Sequence, residues 1–181
     1  IEKQTENTYK PQIGPPTNKK NAKGGWPNGM ESGKIRFIRL EYAGGDWDHN
    51  MGKSADYNML IKMKEYGGFN IAESTESIKI GDLARWKKGK SPPFVYMSGT
   101  GNISLNQTEV QHLRKYLIQD GGLLFVDNGG GSFNSSFRNA MRRILPEFQL
   151  VDISNDDIIY QSPFFFPNGA PPLWHHSGTR A

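Results

Sequence analysis

Two carboxylates and an imidazole lie within four residues of each other, at Asp46, Asp48 and His49. They follow an apolar run and the pair Gly44-Gly45, where a β-strand would pass into a loop. Carboxylate and imidazole groups together favour either a divalent metal or an acid and base pair. The same residues are also typical of a structural turn, in which Asp side chains accept local hydrogen bonds and Trp47 lies over the core.

Two further histidines, His175 and His176, are adjacent near the end of the chain. If their segment folds over the first loop, they complete a predicted set of metal ligands: Asp46, Asp48, His49, His175 and His176. Asp127 and His176 are then the candidate catalytic residues. The competing interpretation is that one of the two histidines is buried with a hydrogen bond and the other is exposed.

Two more glycine-rich loops follow apolar runs, at Gly99-Thr100-Gly101 and at Asp127-Asn128-Gly129. In an open α/β sheet the loops at the carboxyl ends of parallel strands form the ligand crevice, and glycine lets the backbone approach a ligand. We therefore predict a crevice for a small polar ligand or a partner segment. The predicted ligand-binding residues are Gly44, Gly45, Asp46, Trp47, Gly99, Thr100, Gly101, Asp127, Asn128 and Gly129.

Alternating strand and helix patterns predict the scaffold that positions these loops. Apolar runs predict strands at 34–42, 69–72, 94–98, 123–126 and 148–153, and a short strand or turn followed by a helical turn at 78–86. Amphipathic patterns predict helices at about 54–67, 106–120 and 134–145. The fold class is therefore α/β, with a doubly wound, mainly parallel sheet of about five strands and helices on both faces.

Residues 1–33 have the composition of an extended or flexible basic arm, with five Lys, three Glu and few apolar residues. Such a segment buries too little apolar surface to fold alone. It is either a tail or an arm that holds a protein neighbour or a second copy of the chain, with Tyr9, Ile13 and Trp26 as anchors. The predicted domains are thus the arm, residues 1–33, and an α/β domain, residues 34–181.

Composition narrows the function classes. The chain has 181 residues and no cysteine, so thiolate metal ligands and a Cys nucleophile are excluded. A formal charge of +4 is not concentrated as a nucleic-acid surface requires. No apolar run is long enough to span a membrane and no export signal is visible. Because the chain begins with Ile1, we expect that upstream sequence has been removed.

Four segments resemble the bacterial domain-of-unknown-function family 4159. They are Phe37-Ile38-Arg39-Leu40-Glu41-Tyr42-Ala43-Gly44-Gly45-Asp46-Trp47, Tyr96-Met97-Ser98-Gly99-Thr100-Gly101, Gly121-Gly122-Leu123-Leu124-Phe125-Val126-Asp127 and Trp174-His175-His176-Ser177-Gly178. The resemblance implies an α/β fold related to class I glutamine amidotransferase-like and flavodoxin-like domains. It also implies a periplasmic or envelope location, and a domain that continues beyond Ala181. The nucleophilic Cys of those amidotransferases has no counterpart here.

Two functions remain open. We expect a non-catalytic binding or assembly module of a bacterial envelope protein, with no cofactor and with the crevice and the arm as its contact surfaces. The alternative is a metal-assisted hydrolase, in which the loop of Asp46, Asp48 and His49 binds a divalent metal together with His175 or His176.

Overall fold

A computed structural model describes residues 34–51, 54–86, 91–162 and 165–169, together with the backbone of Lys19–Lys20. The chain divides into two units, Ile1–Phe148 and Gln149–Ala181. The described part of the first unit carries the sheet and three α-helices, and that of the second carries one short 3₁₀ helix, Ile158–Tyr160. Apart from Lys19–Lys20, the predicted arm lies outside the described residues.

The sheet has five strands in the spatial order β1-β3-β2-β4-β5, and every neighbouring pair is parallel. The strands are β1 (Lys19–Lys20), β2 (Ile38–Glu41), β3 (Glu76–Lys79), β4 (Phe94–Gly99) and β5 (Leu123–Asn128). The helices are α1 (Ala55–Gly67), α2 (Gln107–Ile118) and α3 (Phe133–Ile144), and a 3₁₀ helix (Ile80–Arg85) follows β3. The predicted α/β class and parallel sheet are confirmed.

Side chains alternate between two faces of the sheet, as the pleat of a strand requires. On one face, α2, α3 and the 3₁₀ helix pack on the larger core, which includes Leu40, Val95 and Met97. On the other face, Leu60 of α1 packs on Phe37 and Tyr96. We call these the α2–α3 face and the α1 face. Helices on both faces make the sheet doubly wound.

Local sequence signals explain where the helices end. Asn106 and Glu109 form a capping box at the start of α2, because each side chain accepts from the backbone N–H of the other. Gly68 ends α1 in the left-handed conformation, with φ of 66°. None of the described helices is long and apolar enough to cross a membrane.

Two predicted strands are wrong. Residues 148–153 contain no strand, and residues 69–72 contribute only a single bridge, between Ile35 and Ile71. The partner beside β2 is instead β3, which overlaps the start of the segment 78–86 for which a short strand or turn and a helical turn were predicted. The remaining edge position is taken by Lys19–Lys20, from the predicted arm. Strand propensity describes suitability for a pleated surface, whereas pairing depends on which neighbours are present.

Candidate functional site at the carboxyl edge of the sheet

The three glycine-rich loops meet at the carboxyl edge of the sheet, because β2, β4 and β5 are adjacent and parallel. The first loop (residues 43–50) is joined to the second (residues 100–105) by a hydrogen bond from the Ser104 N–H to the Ala43 carbonyl, at 2.6 Å. The third loop (residues 129–132) is joined to the second by a bond from the Ser132 N–H to the Thr100 carbonyl, at 3.1 Å. All ten predicted ligand-binding residues lie in these loops or in the last residues of β4 and β5.

The Asp46 carboxylate connects the first loop to the second. Its Oδ1 accepts from the backbone N–H groups of Thr100, at 2.7 Å, and Gly101, at 2.9 Å. Its Oδ2 accepts from the Thr100 hydroxyl, at 2.7 Å. Burial alone would raise the pKa of Asp46, but these bonds outweigh it and lower the pKa to about 2. Asp46 therefore has a structural role, but it accepts these bonds from another loop and not from its own turn, as the turn interpretation expects.

The glycines are needed because the loops lie against each other. A Cβ on Gly45 would stand 2.6 Å from the Asn102 carbonyl oxygen, and one on Gly129 would stand 2.6 Å from the Gly99 carbonyl oxygen. A Cβ on Gly99 would overlap the hydroxyl of Tyr42. Real Cβ atoms do not approach other atoms so closely, so contact between loops accounts for these glycines without a ligand.

A buried arginine on β2 is hydrogen-bonded to the backbone of the first loop. Arg39, on β2, is 1% exposed and forms two hydrogen bonds with the carboxylate of Asp56 on α1. Its Nη1 donates to the carbonyls of Trp47, at 3.0 Å, and His49, at 2.8 Å. Its guanidinium also lies 4.9 Å from the ring centroid of Tyr96. Arg39 thus fixes the loop backbone to α1 and to the neighbouring strand.

Arg39 is a site residue that was not predicted from the sequence. The available signal was a charged residue in the middle of an apolar strand, between Ile38 and Leu40. A buried charge needs a partner of opposite sign. Asp56, in the first turn of the following helix, supplies that partner, but a carboxylate in a first turn is also favoured by the helix dipole and so does not by itself indicate a buried pair.

Asp127 lies at the end of β5, on the α1 face. Its Oδ2 accepts from the Tyr96 hydroxyl, at 3.0 Å, and no described residue donates to its Oδ1. Burial, together with the nearby charge of Asp127, raises the pKa of Tyr96 to about 12, so the hydroxyl remains a donor. The neighbouring Asn128 side chain accepts from the Gly130 N–H, at 3.1 Å. Asp127 therefore offers one open carboxylate oxygen at this edge.

The predicted metal ligands come together only in part. Nδ1 of His49 lies 3.5 Å from Oδ2 of Asp46, whereas the exposed Asp48 side chain makes no side-chain hydrogen bond with a described residue. His175 and His176 lie outside the described residues. Within the described ranges, no group of three or more His, Cys, Asp or Glu side chains is placed to hold a metal ion. The Asp46 oxygens that a metal would need already accept three hydrogen bonds.

Comparison with known proteins gives a family. The family model described as a domain of unknown function, DUF4159, matches residues 36–181. A search of curated proteins returns no match to the chain. The matched region includes the strands from β2 to β5 and all three loops. The chain therefore belongs to the DUF4159 family.

Proposed function

We propose that the domain is a non-catalytic binding or assembly module. The observation that carries this proposal is the use of Asp46. In the alternative hydrolase this carboxylate binds the metal, but here both of its oxygens accept hydrogen bonds from the second loop. A carboxylate that must first break its hydrogen bonds to the second loop is poorly prepared to bind a catalytic metal or to act as a base.

The rest of the edge favours binding. The second loop is hydrogen-bonded to the first and to the third, so little loop ordering opposes association. Asp127 keeps one oxygen open beside them. We therefore expect the crevice to recognise a small polar ligand or a segment of a partner through fixed groups.

The assembly role and the location extend the proposal. Residues 1–18 precede β1, which already lies at the edge of the sheet. The proposed contact with a protein neighbour or a second copy is the arm, residues 1–33, of which Lys19–Lys20 lies at this edge. The periplasmic or envelope location, and the relation to glutamine amidotransferase-like and flavodoxin-like domains, rest on the family resemblance.

Calorimetric titration of the full chain with Zn²⁺ and with Mn²⁺ separates the two functions. Asp48→Ala and His49→Ala are the informative variants, because neither removes the Asp46 acceptor. For a binding module we expect no saturable binding that depends on Asp48 or His49. Binding of one metal per chain that both substitutions abolish would overturn the proposal in favour of the hydrolase.

Light scattering tests the assembly role. Deletion of residues 1–18 is better than deletion of the whole arm, because it keeps β1 in the sheet. We expect the shortened chain to form particles with fewer copies than those of the full chain, after the mass of the deleted residues is allowed for. An unchanged number of copies would exclude assembly through residues 1–18.

A further inference from the structure

The outer edge of β5 carries unpaired backbone groups. β5 pairs with β4 along all six of its residues, from Leu123 to Asn128. Among the described residues, no strand pairs with its other edge. An open edge of this length presents a row of N–H and C=O groups that can hydrogen-bond to an added strand.

The side chains of β5 on the α1 face are also uncovered. Leu123 is 62% exposed and Phe125 is 53% exposed, and Asp127 follows them on the same face. On the adjacent strand, Tyr96 is buried against Leu60 of α1. The cover that α1 provides therefore ends at β4. Large apolar side chains next to an open strand edge mark an interaction surface.

The charge on this surface is negative, and no cation among the described residues pairs with it. Oδ1 of Asp127 receives no hydrogen bond from the described residues. The nearby cation Arg39 is already bound to Asp56. Phe125 stacks on Tyr96, with ring centroids 5.8 Å apart and planes at 24°. The surface therefore combines an open carboxylate oxygen with a fixed, half-exposed aromatic ring.

We infer that β5 binds an extended segment of a protein partner whose arginine side chain lies over Phe125 and pairs with Asp127. This inference rests on the proposed binding function and specifies the occupant of the site. Side chains two residues apart on a strand are about 7 Å apart along the chain. A guanidinium group is long and flat enough to contact both the ring and the carboxylate. The added strand would continue the row of apolar side chains beside Leu123.

The probe is the peptide acetyl-Val-Thr-Arg-Thr-Val-amide, whose side-chain pattern is the same in both strand directions. Two matched peptides replace Arg by citrulline, which is neutral and of similar shape, or by Glu. Binding to the full ¹⁵N-labelled chain is followed by amide chemical shifts. We expect shifts centred on residues 123–128, and about fivefold to tenfold tighter binding of the Arg peptide than of the citrulline peptide. The Glu peptide should bind more weakly than either.

Asp127→Asn is the key variant, because asparagine retains an acceptor for the Tyr96 hydroxyl. It should reduce the preference for the Arg peptide to about twofold. Asp82→Asn is the control, since it removes an equal charge from the 3₁₀ helix and should leave the preference unchanged. Raising the salt concentration should weaken the Arg preference in the native chain.

Three results would overturn the inference: equal binding of the Arg and citrulline peptides, shifts centred away from β5, or an Arg preference that survives Asp127→Asn. Equal binding of all three peptides at β5 would leave the proposed binding function in place and reject only the arginine. The metal titration and the light scattering test the proposed function separately, so the two failures can be told apart.

Discussion

Replacing Asp46 by alanine removes one acceptor that three donors share. The N–H groups of Thr100 and Gly101 and the Thr100 hydroxyl all lose their partner. A buried hydrogen bond to a charged group contributes roughly 1.5 to 3 kcal/mol. The Asp46 side chain is 36% exposed, so water replaces part of each bond. We therefore expect Asp46→Ala to lower the free energy of unfolding by about 2 kcal/mol, or the melting temperature by about 4 to 8 °C.

Asparagine at this position separates geometry from charge. Both backbone N–H groups bind the same oxygen, Oδ1, which Asn also has. Its amide nitrogen can donate to the Thr100 hydroxyl, which then acts as the acceptor. Asp46→Asn should therefore cost only about 0.5 to 1 kcal/mol at neutral pH, less than Asp46→Ala.

The pH dependence of stability provides a second comparison. The pKa of Asp46 falls from 3.8 to about 2 on folding. A lowered carboxyl pKa stabilises the native state above the unfolded value of 3.8, and this stability is lost as the pH falls towards 2. The lowered pKa corresponds to at most about 2.5 kcal/mol, which solvent screening at this partly exposed side chain reduces to about 1 kcal/mol. Asp46→Asn lacks this component, so acidification should destabilise it less than the native chain.

Urea unfolding, followed by circular dichroism at pH 7 and near pH 3, measures these differences. Asp48→Ala is the matched control, because Asp48 lies in the same loop. Its carboxylate accepts no side-chain hydrogen bond from the described residues. It should change the free energy of unfolding by less than about 0.5 kcal/mol. The reasoning fails if Asp46→Ala costs no more than this control, or if Asp46→Asn and the native chain lose equal stability on acidification.

Two further substitutions test the packing around the same loops. Gly99→Ala places a Cβ against the hydroxyl of Tyr42 and should lower the free energy of unfolding by about 2 kcal/mol. Gly81→Ala adds a Cβ with nothing within 4 Å and should change it by less than about 0.5 kcal/mol; equal effects in urea unfolding would contradict the argument. Arg39→Met leaves the carboxylate of Asp56 buried without its cation and should cost about 3 to 5 kcal/mol. Adding Asp56→Leu should recover at least half of that loss, and a double variant as unstable as the single one would show that the pair is not the cause.

Elements with strong local signals could be predicted from the sequence. The capping box at Asn106 fixes the start of α2, and Gly68 fixes the end of α1, because each satisfies backbone groups within one turn. The apolar runs of β4 and β5 stand directly before glycine-rich loops. These signals depend only on neighbours in the chain, so they survive without knowledge of the fold.

Pairing between distant segments could not be predicted in the same way. Residues 148–153 have the apolar residues of a strand, yet form none, whereas Lys19–Lys20 has no apolar residue and pairs with β3. The backbone hydrogen bonds that define a strand carry no sequence code of their own. Which segment occupies an edge is decided by the connection lengths and by the other strands already in place.

The site shows the same division. The carboxyl edge followed from the parallel sheet, and Asp46 was identified as either a ligand or the acceptor in a turn. The choice between these roles depends on whether the N–H groups of residues 100 and 101 donate to its Oδ1. That geometry is set by the distance between β2 and β4. The position of Asp46 after a predicted strand placed it at the carboxyl edge of the sheet. Its structural role follows only from the contact between the first and second loops.

The hydrogen bonds of Arg39 and Asp46 restrict movement of the first loop. Arg39 on β2 donates to the loop carbonyls of Trp47 and His49, and Asp46 accepts from the backbone of the second loop. Because these bonds hold the first loop to β2 and to the second loop, the first loop is poorly suited to move as a lid. In the binding module that we propose, selectivity would come from the groups that stay open among the described residues, above all Oδ1 of Asp127. Because a fixed loop loses little entropy when a ligand binds, a few such groups would be enough for the proposed binding.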